Sequence, residues 1–276
     1  MNIKQVLEKF YRDYDFQERM RHDPIEFPHR YSSPSDIEVV GLISSCFAYG
    51  RVELFRAVLE KIFSKMGGSP SGFLAGFDMK KDGGRFAGIK YRFNENEDII
   101  CLFFIIHQLL KKNASLMEAF MAHYSKDDKD VGKGLSGFIG EILRPDTSVV
   151  YGTNIRPPGL RQFLPSPADG STCKRANLFL RWMVRDKDID FGIWKAIPKN
   201  RLIIPLDTHI ARISRCLGLT NRKSQDWKTA VEVTEALKRL DPQDPLKYDF
   251  ALCHHGISGL CRGKGTETCQ NCALQQ

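Results

Sequence analysis

Long apolar runs are missing from this chain. The longest, Ile99 to Ile106, is eight residues and stops at His107, well short of the roughly 20 residues a bilayer-spanning helix needs. A membrane-embedded reading is therefore set aside. An apolar leader is also missing, since Met1-Asn2-Ile3-Lys4-Gln5 runs directly into a charged amphipathic stretch without a small-residue cleavage site, and the cytoplasm is the expected compartment. No internal repeat or low-complexity tract is visible. Acidic residues are the minority: 33 Asp and Glu stand against 41 Lys and Arg, a net charge of +8. That balance suits a polyanionic partner without requiring one. Cysteine, by contrast, is plentiful. Four of the eight cysteines crowd the segment from Cys253 to Cys272, a spacing that points to ligation and not to a secreted disulfide framework.

What is present is helical periodicity, in a chain of 276 residues with 42% hydrophobic content, enough for a full core in one large domain or two lobes. Residues 36–49 are apolar on most faces and predict a buried helix, followed after Gly50 by a second over 51–66 that ends at Gly67-Gly68. Residues 69–90 read as a glycine-rich loop, with a short extended piece at 86–93. Helices are predicted again over 98–112, 115–124 and 132–143, with a charged turn at 126–130 between the last two. Residues 144–170, rich in Pro, Gly and Ser, form the longest irregular stretch, and such loops commonly shape a binding surface. Helices over 174–184, 208–217, 227–240 and 245–255 complete an all-α chain.

One segment carries chemistry. Ile203-Ile204-Pro205-Leu206 is too apolar for a surface loop, and Thr208 onward has apolar residues at 210, 211, 213 and 217 for a helix face. Asp207 is thus the expected N-cap. Aspartate is among the preferred caps, and a purely structural role is one reading. The other is a carboxylate held at a helix mouth beneath an apolar wall.

The stretch Leu206-Asp207-Thr208-His209-Ile210-Ala211-Arg212, followed by Arg215-Cys216-Leu217-Gly218, resembles the aspartate segment of the helix-hairpin-helix base-excision DNA glycosylases, a superfamily that includes endonuclease III-like and 8-oxoguanine glycosylase-like enzymes. The second arginine is displaced by one position, to Arg215. The resemblance is faint over residues 30–66, good over 160–272, and absent over 70–155. It implies two helical lobes with a cleft between them and the chain ends in one lobe, the hairpin and catalytic aspartate within 160–220, and a Cys-rich tail loop at 253–272. Asp207 becomes the catalytic carboxylate. Upstream, Leu164-Pro165-Ser166-Pro167-Ala168-Asp169-Gly170-Ser171-Thr172-Cys173-Lys174-Arg175-Ala176-Asn177 resembles a lengthened form of the family hairpin. Gly170, Ser171, Thr172 and Arg175 are the implied phosphate contacts, and Lys174 falls on the nucleophilic lysine of the bifunctional members. In the family, the helix containing Leu-x-Ser-x-Gln often supplies a glutamine that wedges into the duplex, and Leu42-Ile43-Ser44-Ser45-Cys46-Phe47-Ala48-Tyr49-Gly50-Arg51 occupies the equivalent ground. Cys46 occupies that position here, so Tyr49 or Arg51 is the expected substitute, with Arg51 also a contact to nucleic acid, although Phe47 and Tyr49 also fit a buried core.

The chemistry these residue types support is glycosidic bond cleavage. Positive charge builds on the sugar, and a fixed carboxylate in a water-poor site stabilises it. A lysine can attack the sugar C1′ and form a Schiff base that leads to strand cleavage. The target base must first leave the stack. The expected function is a DNA glycosylase, with or without associated lyase activity, acting on double-stranded DNA as a monomer, with RNA left open. The alternative is a non-catalytic nucleic-acid-binding protein that keeps Asp207 as a cap. The tail resembles the iron–sulfur loop of many such glycosylases, but seven residues separate Cys261 from Cys269 and the last cysteine of the family loop is lacking, a place that Cys253 could take. Thiolates at Cys253, Cys261, Cys269 and Cys272 would supply an iron–sulfur cluster or zinc, with His254 or His255 as a possible nitrogen ligand for zinc and Arg262 and Lys264 as further phosphate contacts.

Overall fold

No strand forms among the described residues of the computed structural model, which are 2–262, 269 and 272–274; its one β-type pairing is an isolated antiparallel bridge between Tyr91 and Asn94. The fold is all-α. No helix among these residues is long and apolar enough to cross a membrane. The chain divides into two compact units. One, the terminal unit, comprises Met1–Arg21, Lys129–Val131 and Pro167–Gln276, and the other, the inserted unit, comprises His22–Asp128 and Gly132–Ser166.

The terminal unit opens with α1 (Ile3–Arg12) and α2 (Phe16–Met20), and the chain then leaves it. The inserted unit holds α3 (Pro34–Cys46), α4 (Val52–Met66), α5 (Pro70–Ala75), α6 (Met79–Asp82), α7 (Asn96–Leu110), α8 (Leu116–Met121), α9 (Gly132–Ile142), α10 (Ser148–Tyr151) and α11 (Pro158–Phe163). Two of these, α3 and α7, form its centre. Every residue of α3 from Asp36 to Cys46 is buried, and α7 buries Ile99 to Phe103, Ile105 and Ile106, as expected of helices that lack a polar face. Even the buried acids of α3 have work: Asp36 accepts the Ser71 amide at 2.8 Å, and Glu38 accepts the Leu116 amide at 2.9 Å. Each satisfies a donor at the start of a helix, where no intrahelical partner exists.

Two expectations are corrected here. The loop over 69–90 contains α5, α6 and a 3-10 turn at Gly83–Phe86, and the extended piece at 86–93 is reduced to the Tyr91–Asn94 bridge. The irregular stretch 144–170 likewise contains α10, α11 and a 3-10 turn at Pro167–Asp169. Helices this short, stopped by Gly or Pro, leave too few turns for a period of 3.6 to register.

The chain returns to the terminal unit for α12 (Lys174–Val184), α13 (Thr208–Cys216), α14 (Trp227–Leu240) and α15 (Asp249–Ile257). α1 is stitched to this later part by Tyr11, whose hydroxyl donates to Asp188 at 2.8 Å, and by Glu8, which accepts from Lys247 at 2.7 Å and from Tyr248 at 2.6 Å. The segment before α13 is buried from Leu202 to Leu206. Its Ile204 amide is satisfied by Thr234 Oγ1 of α14 at 3.0 Å, which is how an apolar, non-helical strand of backbone is kept in a core.

Candidate functional site

Asp207 caps α13. Its Oδ1 accepts the amides of His209 and Ile210, both at 2.9 Å, so the N-cap expectation holds. Its second oxygen is available for other work: Oδ2 accepts the thiol of Cys253 on α15 at 3.6 Å. α13 and α15 pack closely enough for this because Gly256 lies against His209. A Cβ at 256 would come within 2.7 Å of the His209 Cβ. Arg212 ties the pair together, its Nη2 sitting 3.2 Å from both His209 Nδ1 and the Gly256 carbonyl. The residues of the Asp-Thr-His-Ile-Ala-Arg segment thus form one seam with the His255-Gly256 end of α15.

The hairpin before α12 is organised by its own side chains. Gly170 has φ of +75°, a conformation that favours glycine, and its amide donates to the Pro167 carbonyl at 2.9 Å while its carbonyl accepts from Trp227 at 2.9 Å. Ser171 Oγ accepts the Cys173 amide at 3.1 Å. The Thr172 carbonyl accepts from Asn177 Nδ2 at 3.0 Å. Gly170's amide and the Ser171 hydroxyl, both expected to meet phosphate, are therefore engaged in holding the turn. Cys173 takes a left-handed φ of +48° without a side-chain cap, and burial raises its thiol to about 12. Lys174 and Arg175 follow as the first two residues of α12, both half-buried. Lys174 and Asp207 consequently stand at the starts of two helices of the same unit.

Arg51 belongs to the inserted unit, where it is exposed beside Glu53 at 3.9 Å. Cys46 is buried, its thiol directed at the Phe163 carbonyl at 3.8 Å. The Tyr49 hydroxyl donates to Asn94 Oδ1 and to the Tyr91 carbonyl, and its ring meets that of Tyr91 edge-on at 4.7 Å. Tyr49 is thus part of a packed aromatic cluster. The exposed aromatic at this end of the unit is Phe93, 66% accessible, on the turn where the Tyr91 and Asn94 backbones exchange bonds of 3.0 and 2.8 Å. Arg92, at φ of +51°, places its guanidinium 5.7 Å from the Tyr49 ring centroid and 5.5 Å from that of Phe93. Sequence reading passed over this pair because nothing in the order Tyr-Arg-Phe-Asn distinguishes a protruding ring from a buried one.

The cysteine tail is placed as follows. Cys253 adjoins Asp207, Cys261 is buried, Cys269 is half-buried, and Cys272 Sγ lies 3.7 Å from His255 Nε2. Burial lowers the proton affinity of His255. Among the described residues no group of three or more His, Cys, Asp or Glu side chains is arranged to hold a metal ion. The four thiols are not gathered there into one ligand set. Lys264 lies outside the described residues.

Two further residues were not anticipated. Arg181, near the end of α12, pairs with Asp249 at the start of α15 at 2.5 Å, and both are 2% exposed. Burial, opposed by Arg181 and reinforced by the charge of Asp207, pushes the Asp249 carboxyl up to about 6. The available signal was an arginine within the apolar run 178–184 of α12, which implies a buried acid somewhere.

No curated protein and no solved structure matches the chain. A family model does match residues 23–258, a span that includes the hairpin, Asp207 and the seam with α15, and the chain accordingly belongs to the family described as a protein of unknown function, DUF2400.

Proposed function

We propose that the protein is a DNA glycosylase that removes a damaged base, with Asp207 as the catalytic carboxylate. The observation that carries this reading is the division of labour at Asp207. One oxygen is fixed by two backbone amides, so the second is oriented without reorganisation, the condition under which a fixed charge best stabilises a developing cation. The resemblance of the Asp207 segment and of the hairpin to helix-hairpin-helix glycosylases supports it, as does the all-α chain. Lys174, the first residue of α12, is assigned the nucleophile's role, with Arg175 next to it in the chain. Within the inserted unit, Phe93 is an exposed ring on a turn anchored by buried Asn94 and flanked by the Arg92 guanidinium, suited to stack on a base.

A second reading, a nucleic-acid-binding protein without chemistry, draws on the same geometry, because Asp207 also satisfies α13 as a cap. One experiment separates them. Duplexes carrying different lesions or an abasic site are incubated with the protein and sodium borohydride. A covalent adduct that Lys174→Gln abolishes, together with base release lost in Asp207→Asn at unchanged duplex affinity, is the expected result. Base release without an adduct assigns Asp207 to activating water alone. Full turnover by Asp207→Asn would sink the catalytic assignment and leave the binding reading.

A further inference from the structure

Inside the terminal unit, two guanidiniums face four carboxylates. Arg181 pairs with Asp190 at 3.3 Å and Asp249 at 2.5 Å, and Arg185 pairs with Asp188, Asp190 and Asp244 at 3.0, 2.5 and 2.9 Å. Fully ionised, the group has more negative than positive charge. Asp249 is the member that pairing explains least. Arg181 already has Asp190, and Asp249 Oδ1 is buried with no hydrogen-bond partner among the described residues. An unpaired buried oxygen on a charged group lowers stability. The neighbouring charge of Asp207 lowers it further, which is why burial and Asp207 together raise this carboxyl against the pull of Arg181. Packing alone favours an uncharged side chain at this position.

What distinguishes Asp249 is its location. It lies one helical turn before Cys253 on α15, so the two share a face, and Cys253 is the residue whose thiol reaches Asp207 Oδ2. Gly256, on the next turn, seats His209. We propose that Asp249 is a positioning residue for Asp207: a second, buried carboxylate that acts through it by adding negative potential where the sugar becomes cationic. The proposal rests on the glycosylase reading of Asp207. A fixed charge in a dry interior acts at long range because little solvent screens it. A group kept despite its cost in stability is the pattern found where function and stability compete.

The substitution Asp249→Asn tests this, since it keeps the shape and an acceptor for Arg181 while removing the charge. The expected result at pH 8 is a Tm equal to or about 2–4 °C above wild type, an unchanged duplex Kd, and a single-turnover base-release rate reduced about tenfold. Asp244→Asn, in the same network but off α15, keeps the wild-type rate. A lowered Tm with parallel losses of binding and turnover marks Asp249 as a structural ion-pair partner and overturns the proposal. So does an Asp249→Asn rate equal to wild type. Wild-type protein inert on every lesion overturns the glycosylase reading, and the proposal falls with it; active wild type with a fully active Asp249→Asn overturns the proposal alone.

Discussion

Asp207 commits its two oxygens to different tasks, and the consequences for substitution differ accordingly. Asparagine keeps an acceptor for the amides of His209 and Ile210, so Asp207→Asn should leave stability within about 0.5 kcal/mol, whereas Asp207→Ala loses the cap and should cost about 1–2 kcal/mol. Urea denaturation of the two variants measures the difference. At Gly256 the limit is steric. Alanine would place a Cβ 2.7 Å from the His209 Cβ, and relieving that overlap should cost about 1–3 kcal/mol, checked by the same method. The pH dependence belongs at this scale too. The Asp249 carboxyl is raised in the folded protein to about 6 from its ordinary value of 3.8, so its contribution to stability is full below 3.8 and is lost as pH rises through 6. The stability of wild type relative to Asp249→Asn should therefore improve as pH is lowered from 8 to 5. A constant difference across that range would show that the carboxyl does not change protonation there.

At the scale of elements, long helices were readable, as was the six-residue α8 within 115–124, while the short helices α5, α6, α10 and α11 were not. The periods over 36–49, 51–66 and 227–240 correspond to α3, α4 and α14 because each spans three or more turns. Asp207 was readable for a related reason: a cap depends on residues two and three positions away. The Arg181–Asp249 pair spans 68 positions, and no local pattern specifies which acid a buried arginine will meet. Phe93 was hidden for want of a local signal of exposure. Another element-scale device, the Thr234 hydroxyl that satisfies the Ile204 amide at 3.0 Å, gives a direct prediction. Thr234→Val leaves that amide unpaired in the core and should cost about 1–3 kcal/mol. Hydrogen exchange at Ile204 should accelerate by more than global unfolding accounts for, and equal acceleration throughout would show that the segment is held by other contacts.

For the whole molecule, the excess of eight positive charges predicts duplex binding that weakens linearly on a log–log plot against salt, through release of counterions from the phosphates. A flat plot would argue against a polyanionic partner. The division into units has a further consequence, which concerns time. Glu8 and Tyr11 are made early, yet their partners lie 239 and 177 positions later, at Lys247 and Asp188. A nascent chain therefore presents α1 without these partners until they are made, while residues 22–166, apart from 129–131, can already collapse around α3 and α7. The order of folding on the ribosome is thus inverted relative to the order of translation over this span: α1 emerges before the inserted unit yet is docked after it, and α1 is the segment a chaperone or protease would meet exposed.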